Sequence, residues 1–575
     1  MGRGKKRRRD DHSKSKSLAS VNQFSHITGY DGSTSVDFSL DGCLAELQQS
    51  TKEGSKQISS DQLPPRQDDS SNNEATRGDA DSSVLNRSNA ETVDLETQQN
   101  PIANEQMDVD KVESWNRNFF AWVKGSPYTK GMLPSVEEEL QRNFKVKQLS
   151  AFLLQSGRDL RMPLFERWLI DSKLEDKMKD DRRPNDYDDP ILPHKAKLKS
   201  PASLRLVEEL WRSCNVSKQD AKQTVSDLCR RSNVAVQELA SQAIRFHSQS
   251  PLKRGDRIEV EIKGSNETGE GSDSLFTGVE TLTFLYSRKK WRKPFCFKLN
   301  KSHYNKLRQR FLDTHNRAPT KIVLASTVDS NCKATHAFHL LLLALLLRYS
   351  AMSGGQLLDD LRGGGMQGAI HEQVFEVLCK AMSTQNRFVE GFASPFNAYL
   401  PSFASAFPDI EWHFGSIGNF LTTPMIQGCF EANPPFSPGL MNCMVDHIEI
   451  CLDRAVQQSS SLTFVVIVPS ARAVSSSQDD TATVKRFASE SFQRMISSTS
   501  CRLHMILRAR EHGYIEGSQH LRPTRYKQSG YDTSVIILQS NQARESKLDE
   551  VKLKANISSA FASRHAEELS QRRKV

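Results

Sequence analysis

Between residues 111 and about 250, apolar side chains recur at the three- and four-residue spacing of amphipathic helices. Trp115, Phe119, Trp122 and Val123 come first, then Phe165–Leu169 and Leu204–Trp211. Stretches rich in Pro and Asp, such as RRPNDYDDPILP (182–193), separate them. The period then shortens to two. RIEVEIK (257–263) alternates cleanly, and TLTFLY (281–286) can return as its partner across a loop rich in Gly, Ser, Asn and Asp. Beyond 320, strand-like and helix-like segments alternate. Strands are expected at 321–325, 388–392, 410–415, 428–432, 462–468, 504–507 and 534–538, with helices at 336–350 and 440–456. Leu440, Met444, Ile448, Leu452 and Val456 form one helical stripe. LTFVVIV (462–468) has the composition of a strand covered on both faces. This alternation predicts an α/β layered domain with a largely parallel sheet, whose ligands sit beyond the carboxyl ends of the strands. The run Leu340–Leu347 stops at Arg348, short of the roughly 18–20 residues a membrane helix needs, and reads as a buried helix.

The 575 residues are 37% hydrophobic, enough for a sizeable core, and their ten Cys contain no CxxC pair. A zinc ribbon and a disulfide framework are therefore not expected, and no metal is. The net charge of +9 is unevenly spread: residues 1–110 carry 13 Lys and Arg against 19 Asp and Glu. That segment is polar, aperiodic and too poor in apolar residues to offset its ordering entropy, so it reads as a disordered tail. The opening MGRGKKRRRDD has no apolar stretch behind its charges and is not a secretory signal; its block Lys5–Arg9 resembles a nuclear import signal, so a nuclear location is expected. The remainder is strongly basic, which favours a polyanionic partner. Five parts follow: the tail 1–110, a helical accessory domain 111–255, a strand pair with a basic segment 256–320, the α/β domain 321–545, and a charged C-terminal tail 546–575.

The basic segment is concentrated. Between Arg288 and Arg310 there are ten Lys and Arg and no acid, interleaved with Trp291, Phe295, Phe297 and Tyr304. Cations neutralise phosphates while aromatic faces stack unpaired bases, so Lys289, Lys290, Trp291, Arg292 and Lys293 are candidate RNA contacts; a solvated basic face with inward aromatics is the alternative.

Two loops fall at expected strand ends. RFVEGFASPFN (387–397) ends a strand in Glu390, which could accept a hydrogen bond from a ribose or amino group, and continues in small residues that let a ligand approach the backbone. GCFEANPPFS (428–437) places Asn433-Pro434-Pro435-Phe436 after a buried strand. An exocyclic amine of a nucleobase is a poor nucleophile, because its lone pair is delocalised into the ring. The Asn433 side-chain oxygen and the Pro434 carbonyl can accept from its two N–H groups and draw the nitrogen towards tetrahedral geometry. Pro434 and Pro435 hold that carbonyl rigid, and a stacked Phe436 fixes the ring plane.

The motif NPPF, with the run EGFASPFNAYLPSFASAFPD, HFGSIG and FEANPPFSPGLMNCMVDHIE and the later GSQH (517–520), resembles the phosphorylated-CTD-interacting factor family. The resemblance is clear over about 365–540 and fainter over 111–365. It implies a Rossmann-like methyltransferase domain that uses S-adenosylmethionine, preceded by a mainly helical domain. The implied activity is N6-methylation of the 2'-O-methyladenosine next to the 7-methylguanosine cap of mRNA. By resemblance, Asn433 to Phe436 hold the adenine, while Glu390, Ser394, Asn397, Gln367, Asp409 and Ser416 hold S-adenosylmethionine. Capped mRNA or other RNA is the implied partner, with the RNA polymerase II machinery a further one and no membrane. The sequence lacks two Trp about 20 residues apart, so a member without a WW domain is expected. Pro438 and Ala471 stand where the family carries an acid and a Trp. Internal RNA or DNA adenosines, or an RNA-binding role with weak catalysis, are the alternative readings.

Overall fold

A computed structural model describes residues 134–156, 162–178, 187–248, 257–263, 280–287, 294–317, 330–355, 367–382, 388–470, 490–517, 525–545 and 548–574. The tail 1–110, the helix expected around Trp115–Val123, the candidate RNA contacts Lys289, Lys290, Trp291, Arg292 and Lys293, and the strand expected at 321–325 lie outside them.

Four helices lead: α1 (Val136–Gln155), α2 (Met162–Met178), α3 (Pro201–Ser213) and α4 (Lys218–Ser248). Ser135 caps α1 by accepting from the Glu138 N–H, and Ser200 caps α3 ahead of a Pro in its first turn. An antiparallel meander follows: β1 (Arg257–Lys263), β2 (Thr281–Ser287) and β3 (Phe295–Asn300). The expected hairpin forms, with Arg257 opposite Ser287 and Lys263 opposite Thr281. Strand β3 lies inside the basic run, and its period-2 alternation buries Phe295, Phe297 and Leu299 while Lys298 faces out. Helices α5 (Lys301–Arg317) and α6 (Ser330–Met352) complete this part. Leu140, Trp168, Leu206 and Leu228 share one apolar core with Phe284, Phe297, Leu307 and Leu343, so the core runs across the expected boundary at 255–256. By length and composition α6 could cross a membrane, but 78% of its apolar window is buried, and it packs on α1 as a core helix.

The second part contains β4 (Gly368–Ala369), α7 (Glu372–Met382), β5 (Phe388–Glu390), the single turn α8 (Pro408–Glu411), β6 (Gly428–Ala432), α9 (Pro438–Gln457), β7 (Leu462–Pro469), α10 (Ser491–Ser497) and β8 (Cys501–Leu507). Strands β9 (Gly513–Glu516), β10 (Tyr526–Gln528) and β11 (Thr533–Gln539), the turn α11 (Asn541–Arg544) and α12 (Glu550–Lys574) close the chain. The main sheet has the order β5-β6-β7-β11-β8. β5, β6 and β7 pair in parallel, and β11 pairs antiparallel with both β7 and β8. Four of its strands therefore run one way, and β11 is slotted in against them. Alternation along β7 sends Phe464, Val466 and Val468 to one face, under α9 and α10, and Val465 and Ile467 to the other, under α7 and α12. The domain is a mixed α/β sandwich, and burial on both faces explains the unbroken apolar run of β7.

Two expectations need correcting. Residues 410–415 are not a strand: Pro408 opens a helical turn, the Glu411 carboxylate accepts from the Phe407 N–H at 2.7 Å, and a 3-10 turn (Trp412–Phe414) follows. Strand pairing survives only as single bridges from Ser416 to Phe403 and from Phe403 to Glu390. The charged segment 546–575 is also more than a tail, because α12 buries Leu553, Ile557, Ala560 and Phe561 against the sheet's second face.

Candidate active site

The carboxyl ends of β5 and β6 are adjacent, with Glu390 opposite Glu431, so the loops 391–405 and 433–437 emerge side by side. Their junction is tight. The Gly391 N–H donates to the Glu431 carbonyl at 2.6 Å, and a Cβ on Gly391 would lie 2.6 Å from that oxygen and from the Phe420 ring. Gly391→Ala is therefore expected to displace the loop, costing about 1–3 kcal/mol of stability, measurable by denaturant unfolding.

Above this junction Ser394, Asn397 and Gln367 form one hydrogen-bonded ring. The Ser394 hydroxyl donates to Gln367 Oε1 at 2.6 Å, the Ser394 N–H donates to Asn397 Oδ1 at 2.7 Å, and Asn397 Nδ2 donates to the Gln367 carbonyl at 3.1 Å. Gly517 closes the ring by donating its N–H to the Gln367 carbonyl at 3.0 Å, and a Cβ there would approach Asn397 Cβ to 2.9 Å. The Tyr349 hydroxyl donates to Glu411 at 2.6 Å and also interacts with Ser394 and Gln367. Burial lifts the Glu411 carboxyl to about 7, against the hydrogen bonds it accepts from Tyr349 and Phe407.

Asn433 stands at the head of β6, 5% exposed. Its Nδ2 donates to the Gly368 carbonyl of β4 at 3.3 Å, which leaves Oδ1 as the acceptor end of the amide. The Phe436 ring meets Tyr531 and Tyr514 edge-on, at centroid distances of 5.5 and 6.2 Å. Tyr514 is fixed in turn by its hydroxyl contact with Thr533 at 2.9 Å, which His512 also reaches at 2.7 Å. The second strand-end loop therefore has its amide oriented and its ring plane held before any substrate arrives.

The structure thus joins Gln367, Ser394 and Asn397, and places Asn433, Pro434, Pro435 and Phe436 beside them. It does not bring the other three candidates into the ring. Glu390 turns its carboxylate back onto the backbone N–H groups of Leu400 (2.5 Å) and Tyr399; burial pushes it up to about 7 despite these bonds and the nearby Arg310 and Lys306. Asp409 is spent on an ion pair with Arg348 at 3.1 Å, and Ser416 on the Ser405 hydroxyl at 2.6 Å. Phe295 and Phe297 are core residues and Tyr304 bonds His339 at 2.9 Å, so these three aromatics of the basic run are not base-stacking platforms.

Sequence reading missed Tyr349, Glu411, Lys306 and Arg310. Lys306 and Arg310 project from α5 onto the loop after Ser394. Lys306 Nζ donates to the Phe396 carbonyl at 3.1 Å, and Arg310 donates to the Ala398 and Leu400 carbonyls at 2.9 and 2.8 Å. They lie in the basic run that suggested nucleic acid, and the signal separating the two uses, their spacing of four on an inward helical face, is visible only once α5 is placed. Glu431 was also missed: burial, with Glu390 beside it, raises its carboxyl well above the usual range, and its Oε1 has no hydrogen-bond partner.

Residues 321–517 match a family model described as the phosphorylated CTD interacting factor 1 WW domain. Two curated relatives, from Homo sapiens and Mus musculus, are each described as mRNA (2'-O-methyladenosine-N(6)-)-methyltransferase. They are 35% identical to this chain over 199 and 198 residues, 34% of this chain and 25% of theirs. The chain thus matches about a quarter of the length of these relatives. The resemblance read from NPPF and its neighbours holds over these residues. The matching model carries the WW domain in its description, which corrects the expectation of a member without one. The residues it spans here include α6, the parallel strands β5, β6 and β7, and both strand-end loops.

Proposed function

We propose that this chain is a member of the phosphorylated-CTD-interacting factor family that methylates N6 of adenosine in RNA, its preferred target being the 2'-O-methyladenosine next to the 7-methylguanosine cap. One observation carries the reading: an Asn-Pro-Pro-Phe loop, with its amide oxygen aimed as an acceptor, lies beside a second strand-end loop of polar and small residues. A Rossmann-like reading of the sheet is supported by four co-directional strands with one antiparallel strand inserted. The two loops fit S-adenosylmethionine. Gly391 and Gly517 let the two loops close tightly on their neighbours, Ser394, Asn397 and Gln367 form an ordered polar ring there, and Glu431 keeps a buried carboxyl oxygen without a hydrogen-bond partner. When bound, the cofactor supplies a methyl group on a positively charged sulfur.

Asn433 Oδ1 and the Pro434 carbonyl each accept one N–H of the adenine amine, localising its lone pair for attack on the methyl carbon. Pro435 limits motion of that carbonyl, and Phe436 sets the height and tilt of the base. With the donor bound, the amine held in this way would accept its methyl group and become cationic. Its proton is then acidic enough to leave to water, so no strong general base is required. Nuclear location, through Lys5–Arg9, and docking to the polymerase tail are parts of the same proposal.

The test is methyl transfer by the purified full chain from labelled S-adenosylmethionine to matched short RNAs beginning with 2'-O-methyladenosine, with and without a 7-methylguanosine cap. Labelling of the capped RNA alone is the expected result. Equal labelling of both would move the target to uncapped or internal adenosines, and labelling of neither would remove the enzymatic reading for RNA ends.

A further inference from the structure

The loop that presents Asn433 does not hold itself in place. It runs straight into α9, and Ser437, the residue between Phe436 and that helix, makes no side-chain cap hydrogen bond to the helix. The first turn of α9 would then be left with orphan N–H groups, a deficit usually met by the N-cap side chain. Here it is met from α2, some 266 positions earlier in the chain. The carboxylate of Asp171, 3% exposed, accepts from the Gly439 N–H at 3.2 Å, from the Leu440 N–H at 3.2 Å and from the Ser437 hydroxyl. Arg205 of α3 pairs with the same carboxylate at 2.6 Å. Position 439 has to be glycine for this approach, because a Cβ there would collide with Asp171 Oδ1. The helical part of the molecule thus grips the exit of the loop one residue beyond Phe436.

From this geometry we infer that Asp171 is a positioning residue for methyl transfer: it sets the height of the Asn433–Phe436 loop through the start of α9 and links the helical part to the chemistry. This rests on the methyltransferase reading above. A residue serving stability alone would change how much protein is folded, but not the turnover of each folded molecule. A positioning residue changes turnover while leaving the methyl-donor pocket as it was, since Gln367, Ser394 and Asn397 are held without it.

The experiment compares the full chain with Asp171→Asn and Asp171→Ala. It reads kcat per cofactor-binding site, KM for S-adenosylmethionine, and amide exchange at residues 437–440. Asp171→Asn is isosteric and keeps one acceptor oxygen, so it guards against a variant that fails to fold. The expected result is a fall in kcat of about 10- to 100-fold, KM within about twofold of the parent, and faster exchange at Gly439 and Leu440 with β7 unaffected. Gly439→Ala should be harmful in the parent and milder in the Asp171→Ala background. Unchanged kcat per site in both variants, or unchanged exchange at Gly439 and Leu440, would overturn the assignment. A parent chain that labels no RNA would instead sink the methyltransferase reading, and the exchange arm would still decide whether Asp171 fixes the loop.

Discussion

Arg348→Met is expected to cost the fold about 3–5 kcal/mol, seen as a lower midpoint of denaturant unfolding. Arg348 is fully buried in α6, where it bonds Glu139 of α1 at 2.6 and 2.8 Å and Asp409 at 3.1 Å. Glu139 is shared with Arg142, which also reaches Glu138 at 2.6 Å and Asp189 at 2.8 Å. Removing one cation leaves buried carboxylates without their counter-charge, and that orphaned charge, more than the lost attraction, sets the magnitude. Pairing Arg348→Met with Glu139→Gln should recover part of the loss. Burial pulls the carboxyls of Glu139 and Asp189 upward, but Arg142, joined at Glu139 by Arg348, outweighs it and holds both below their usual range. Since their folded-state values are depressed, the stability they contribute is present above the ordinary carboxylate range and is lost as pH falls below it. Acid should therefore loosen the attachment of α1 to α6 and to the segment around Asp189.

Asn433→Ala is expected to lower kcat by about 10²–10³, the usual scale for deleting one preorganised polar group at a reacting centre. Affinity for S-adenosylmethionine should change little, because Gln367, Ser394 and Asn397 bond one another and not Asn433. Under the proposed reaction the substitution would remove an acceptor for the amine, and it leaves the Gly368 carbonyl without its Nδ2 donor. Single-turnover methyl transfer on the preferred RNA, with cofactor binding measured alongside, checks both halves. Loss of binding and turnover together would place Asn433 in the donor pocket and not at the amine.

Much of the α/β layer was legible from its residues. The stripe Leu440, Met444, Ile448, Leu452 is buried on α9 except at its last member, Val456, which is exposed, and LTFVVIV is the central strand. The strand-end loops were found because Asn433 and its neighbours combine an unusual pair of prolines with a buried strand. Other elements were masked by charge or by long-range bonds. In α12 the positions 553, 557, 560 and 561 keep helical spacing, but Lys, Arg and Glu surround them and the segment reads as a tail. In β3, Phe295, Phe297 and Leu299 keep period two, but the flanking cations draw attention to phosphate. Asp409 and Ser416 sit where a strand would have aimed them at a ligand, and the Glu411–Phe407 bond turns the segment into helix. Asp171, Tyr349 and Arg310 could not be assigned from local pattern at all, because their partners lie far away in sequence.

The inserted strand β11 also constrains how the molecule is made. β7 and β8 flank the place β11 fills, and until residues 533–539 are available each has an unsatisfied backbone edge and apolar side chains on it. During synthesis the chain therefore carries a sticky half-built sheet across roughly seventy residues of elongation. The strand that ends this exposure is made only after β8, β9 and β10, and α12 follows it to cover the sheet's second face. Nonsense or frameshift changes just upstream of Thr533 would thus produce aggregating material that quality control must remove, in place of a shortened but tractable protein.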